Sequence, residues 1–157
     1  MESWNQSSTD AARTHAPGEV NRRIDSEVER CVQFMAEQTD RSVIGAYLED
    51  LEREWDLNRV VTVAASTVGL VGWALVPARG WAWKLVGGVA AGLLLQQGLV
   101  GYGPLATVAR RLGVRTRREI DLEKFALKAL RGDFQRIPHE GGPLARANAA
   151  LVAAQSD

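Results

Sequence analysis

The side chains able to do chemistry are few and far apart in this chain. Cys31 is the single cysteine among 157 residues, which excludes an internal disulfide and a cysteine-cluster metal site, and His15 and His139 stand in different, loose segments. Cys31 is surrounded by Glu27, Glu29 and Glu37, which discourage a thiolate, so it reads as a small buried hydrophobe. Asp and Glu pairs are abundant, but their spacing is that of a solvated helix face rather than of a general acid and base. No glycine-rich loop leads into Lys-Ser or Lys-Thr. Gly87-Gly88 lies inside an apolar run, where glycine serves packing. These residues predict no catalytic, cofactor or metal site, and a protein that is not an enzyme.

Two polar groups say more. Gln96 and Gln97 lie about one to one and a half turns inside the end of an apolar run, where an unpartnered amide is costly. Three readings follow: a bond to Thr62 or Ser66 on a neighbouring span, a bond across a homodimer, or a polar lining for a solute path in an oligomer. Arg110, Arg111, Arg115, Arg117 and Arg118 form a basic cluster just beyond that run. They are read as a topology signal facing lipid, with recognition of anionic headgroups or of a partner's acidic face as the alternative.

The elements that must position these groups divide sharply by composition. Between 60 and 109 only Arg79 and Lys84 carry charge, while both flanks are dense in Arg, Asp and Glu. The runs 60–76 and 81–100 are long enough for membrane spans, broken by Val76-Pro77-Ala78-Arg79-Gly80. Trp73, Trp81 and Trp83 mark one interface, and Trp55 and Tyr102 the other. The expected fold is all-α: a two-span transmembrane helical hairpin, 60–102, flanked by amphipathic cytoplasmic helices. Small residues Gly69, Gly72, Gly87, Gly88, Gly92 and Gly98 supply the surface for helix packing, within the hairpin or between copies.

Residues 1–19 are polar and are expected to be a disordered tail. Within 20–59, Ile24, Val28, Cys31, Val32 and Met35 form one amphipathic helix face. A second helix, capped at Thr39-Asp40 and carrying Ile44, Tyr47, Leu48, Leu51 and Trp55, is expected to run on to Val60. After the spans, 103–135 holds a short helix opened by Gly103-Pro104, with Leu105, Val108 and Leu112, and closed by Gly113. Thr116-x-x-Glu119 then opens a helix to Arg131, with Leu122, Phe125, Ala126, Ala129 and Leu130 on its apolar face and Gly132 as its stop. Residues 136–157 are a flexible or weakly helical tail.

Nineteen basic residues balance nineteen acidic ones, which argues against a nucleic-acid partner. Basic residues favour the chain-end flanks over the turn, so both termini are expected in the cytoplasm. The expected partners are the lipid bilayer, a second copy and a cytoplasmic protein.

Several segments resemble the YgaP-type transmembrane domain, a small bacterial inner-membrane module of unknown function. They are Glu54-Trp55-Asp56 with Arg59-Val60, Gly101-Tyr102-Gly103-Pro104, Leu112-Gly113-Val114-Arg115-Thr116 and Ala126-Leu127-Lys128-Ala129-Leu130-Arg131-Gly132-Asp133-Phe134. The resemblance implies a two-span hairpin in the bacterial inner membrane, in that family sometimes joined to a rhodanese domain. Where the family commonly has Cys-Pro after the second span, this chain has Gly103-Pro104, so that thiol is missing. The expected role is a membrane anchor or docking module; the alternatives are an oligomeric channel with Gln96 and Gln97 on its path, or a soluble bundle with both runs buried.

Overall fold

The computed structural model describes residues 10–38, 40–137 and 142–155. Among them every regular element is helical: α1 (Ala11–His15), α2 (Gly18–Ala36), α3 (Arg41–Arg53), α4 (Leu57–Ala74), α5 (Val76–Arg79), α6 (Trp83–Val100), α7 (Pro104–Arg111), α8 (Arg117–Arg131), a 3-10 turn (Asp133–Arg136) and α9 (Pro143–Gln155). They group into two compact units. The first takes in the described residues of Met1–Asp25 with Trp55–Arg117, and the second Ser26–Glu54 with the described residues of Arg118–Asp157.

In the first unit the apolar runs become α4 and α6, each of 18 residues and so about 27 Å long. Both stretches are long and apolar enough to cross a membrane. The preceding helix does not run on to Val60. α3 ends at Arg53, and α4 starts afresh because Asp56 accepts the Arg59 N–H at 2.8 Å, a side-chain N-cap. Arg59 also lies over the Trp55 ring at 4.5 Å. Pro77 sits in the single turn of α5, and Gly80 leaves it at φ 93°, a conformation that only glycine takes cheaply. α6 ends at Val100, the expected end of the run 81–100, and Gly101 (φ 71°) follows it, its N–H capping the Gln97 carbonyl in left-handed geometry.

The expected disorder over 1–19 does not extend to 10–19, which begin α1 and α2. Asp10 caps α1 through the Ala12 N–H at 3.0 Å, and Ala12 joins Leu57, Val61, Ala106 and Ala109 in the core of the first unit. A stretch poor in large apolar groups is ordered by packing one alanine and by the ion pair described below.

The core of the second unit is Met35, Ile44, Leu48, Leu51, Ile120 and Leu127, with Cys31, Val32 and Tyr47 packed against it. Asp40 caps α3 through the Ser42 N–H at 2.9 Å; Thr39 lies outside the described residues, as do Pro138, His139, Glu140 and Gly141. α8 has the expected bounds but not the expected face. Phe125 and Leu130 are exposed, and the buried stripe is Ile120, Glu123, Lys124, Leu127 and Lys128. Its charges are partnered: Tyr47 donates to Glu123 at 3.2 Å, and Lys124 pairs with Glu52 at 2.5 Å. α9 docks as well, since Lys128 Nζ donates to the Ala154 carbonyl at 2.7 Å in its last turn.

Candidate functional site

The candidate surface is the paired α4 and α6 with the corner where α6 meets α7, all in the first unit. Their contact is built on missing side chains. A Cβ at Gly72 would lie 2.9 Å from Val86 Cγ1 and 3.2 Å from the Gly87 nitrogen, so no side chain fits there. Gly69 and Gly87 also line this contact, facing Ala90 Cβ at 3.4 Å and the Gly69 carbonyl at 3.7 Å respectively. Gly88, Gly92 and Gly98 do not, because a Cβ at any of them would meet nothing within 4 Å. Small residues thus bring two backbones close on one side of α6, and the rest of that helix stays open.

What is open is large and apolar. Leu70, Trp73, Leu95 and Leu99 are 70%, 73%, 64% and 77% exposed. A cleft of about 350 Å³ between α4 and α6 is lined by Ala64, Ala65, Val68, Leu85, Val86, Val89, Ala90, Leu93 and Leu105, without a polar side chain.

Gln97 and Gln96 part company. Gln97 is 7% exposed, yet it turns toward its own chain end rather than toward Thr62 or Ser66. Its Nε2 reaches the Gly101 carbonyl only at 3.5 Å, and Oε1 has no hydrogen-bond partner, lying 3.3 Å from where a Gly103 Cβ would be. Gln96 points outward and is exposed. At the same corner the Tyr102 hydroxyl bonds Thr107 Oγ1 at 2.7 Å, and His15 stacks on Tyr102 with ring centroids 4.6 Å apart.

The basic cluster is corrected at its first member. Arg110 does not face lipid; it is 0% exposed, donating to Asn21 Oδ1 at 2.7 Å and to the Val114 carbonyl at 3.3 Å. Asn21 in turn donates to the Arg13 carbonyl at 2.9 Å, and Arg13 forms a two-bond ion pair with Asp25 at 2.8 and 2.5 Å. Burial forces this arrangement, because a guanidinium removed from water must find acceptors. Arg111, Arg117 and Arg118 are exposed, and Arg115 is half-buried with its carbonyl accepting the Leu57 N–H at 2.8 Å. Arg23 donates to the Arg111 carbonyl at 3.1 Å.

Arg13, Asn21, Asp25 and Arg23 escaped sequence reasoning. The one local signal was Asp10 before two alanines, the start of a capped turn. Chemically, the site has the means to pack helices and hold position. Among the described residues no group of three or more His, Cys, Asp or Glu could hold a metal ion. No known protein family, curated protein or solved structure matches this chain.

Proposed function

We propose that this chain is a non-enzymatic integral membrane protein in which α4 and α6 cross the bilayer as a two-span hairpin. The flanking helices then form a platform for self-association or for docking a cytoplasmic partner. One observation supports this above others. Only 17% and 11% of the residues in the most apolar windows of the two candidate stretches are buried. The core helix of a soluble protein would be mostly covered, and so many open Leu, Val and Trp side chains in water would drive aggregation. The tryptophans near the α4–α6 turn suit a headgroup layer, as Trp55 and Tyr102 do at the other end.

The excess of arginine on the chain-end flanks favours cytoplasmic termini, and the resemblance to the YgaP-type domain suggests the bacterial inner membrane. Alkaline carbonate extraction tests the first claim: the chain stays in the membrane pellet, and release into the supernatant overturns it. Sidedness is tested with Ala78→Cys and Gln155→Cys variants, each made in a Cys31→Ala background. An impermeant thiol reagent on intact cells labels only the first, and equal labelling of both rejects the orientation.

The exposure of Gln96 favours a second reading, an oligomer that conducts a polar solute. It requires flux in reconstituted vesicles that Gln96→Leu abolishes. The cleft lined by Ala64, Val68 and Leu93 offers such a solute no polar side chain.

A further inference from the structure

Helix α7 carries its side chains inside out. Its covered face is Ala106, Ala109 and Arg110, and the two alanines join Leu57 and Val61 in the core of the first unit. Its open face is Val108 and Leu112, 57% and 79% exposed, with Arg111 between them. Positions 104, 108, 111 and 112 recur at helical spacing, so the exposed groups form one stripe. A helix that met only water on that side would gain by the opposite arrangement, with the aliphatics covered and the guanidinium out.

Two further facts say what meets the stripe. No carboxylate lies on α7, and Arg23, 88 residues earlier in the chain, brings a second guanidinium to its last turn by bonding the Arg111 carbonyl. Two guanidinium groups therefore stand at the end of the stripe, while its body is aliphatic. α7 also starts directly after the stop of α6 at Gly101 and packs against the first two turns of α4. If those two helices span, that level is the boundary between acyl chains and headgroups.

We propose that α7 is an interfacial helix, with Val108 and Leu112 among the upper acyl chains and with Arg111 and Arg23 binding the phosphate of anionic phospholipids. This rests on α4 and α6 spanning the bilayer. Aliphatic groups below and guanidinium groups above are the arrangement by which a helix holds such a surface. Each arginine near an anionic surface strengthens the attraction by about fivefold. An Arg23 that merely capped the α7 carbonyls would serve the helix dipole without regard to lipid charge, and this difference is measurable.

The test uses the full chain with Cys31→Ala and one nitroxide at Leu112→Cys, Val108→Cys, Leu95→Cys or Glu49→Cys, reconstituted into phosphatidylcholine vesicles with or without phosphatidylglycerol. Collision with oxygen, which dissolves in the bilayer, is compared with collision with a nickel chelate, which does not. The expected oxygen-to-nickel ratio at 108 and 112 is several-fold above that at 49 and below that at 95. It rises with phosphatidylglycerol, and Arg23→Gln with Arg111→Gln removes the rise while the label at 95 is unmoved. A ratio at 108 and 112 as low as that at 49, with 95 still shielded, overturns the inference and leaves the spans standing. Nickel access at 95 removes the spans and the inference together. A ratio indifferent to phosphatidylglycerol overturns the headgroup contact, and spin–spin broadening at 112 assigns the stripe to a second copy instead.

Discussion

The core of the second unit and helix α6 of the first cover different side chains. In the second, Ile44, Leu48, Leu51, Ile120 and Leu127 are almost wholly covered. In the first, α6 buries Ala90 and Gln97 and leaves Leu85, Val89, Leu95, Leu99 and Val100 open. Water rewards covering the largest apolar surface, whereas lipid is indifferent to it and rewards close approach over small residues. The second unit follows the first of these rules, and α6 has the pattern expected under the second.

Both units also bury charged groups, and removal of the ion pair in the first has the largest expected effect. Arg13→Ala leaves Asp25 covered and without its guanidinium, a cost of about 3–5 kcal/mol. Arg13→Met with Asp25→Leu restores most of it. Thermal unfolding in detergent checks both, and a negligible loss in the single variant would show that this pair does not hold α1 and α2 in place.

Next in size is a direct contrast between the packing rules. Leu48→Ala empties a site in the core of the second unit and costs about 2–5 kcal/mol, while Leu95→Ala, on the open face of α6, costs well under about 1 kcal/mol. Equal losses would mean that protein surrounds α6, and the contrast between the units would fail.

Gly72→Val comes third. It forces a side chain against Val86 and the Gly87 backbone, at about 1–3 kcal/mol, and weakens the pairing of α4 with α6. Gly88→Ala meets open space and gains helix propensity, up to about 1 kcal/mol. If Gly88→Ala instead destabilised the detergent-solubilised protein, a second copy would be packed there.

What could be read from the sequence was local. Asp40 as a cap, Gly103-Pro104 as a helix start, and Gly113 and Gly132 as stops act within a few residues, and the structure places each at the expected helix end. The two apolar runs became the two long apolar helices for the same reason. What failed was decided at long range. Arg110 finds Asn21 across 89 residues, and no property of the arginine run announces it. The α8 face was misjudged because periodicity counts apolar residues, whereas Glu123 and Lys124 are covered by virtue of Tyr47 and Glu52. Of the six glycines expected to pack within the hairpin or between copies, Gly69, Gly72 and Gly87 line the α4–α6 contact; α6 offers small residues on more than one side, and only the position of α4 selects Gly87 over Gly88, Gly92 and Gly98.

The smallest expected effect lies at the start of α3, in the second unit, and is pH-dependent. The Asp40 carboxyl is held below its usual value of 3.8, chiefly because it accepts the Ser42 backbone N–H and secondly the Ser42 side-chain bond, against a slight opposing effect of burial. A lowered folded-state value makes the contribution complete above the unfolded value and lost as pH falls through the folded one. The α3 N-terminus is therefore insensitive to pH from neutrality down to about 5 and frays only below the ordinary carboxylate range. Amide exchange at Ser42 checks this: Asp40→Ala speeds it at neutral pH and abolishes its further rise in acid. The same substitution leaves exchange at the Arg59 amide, capped by Asp56 in the first unit, unchanged. A parallel change there would mean that the two units do not open independently.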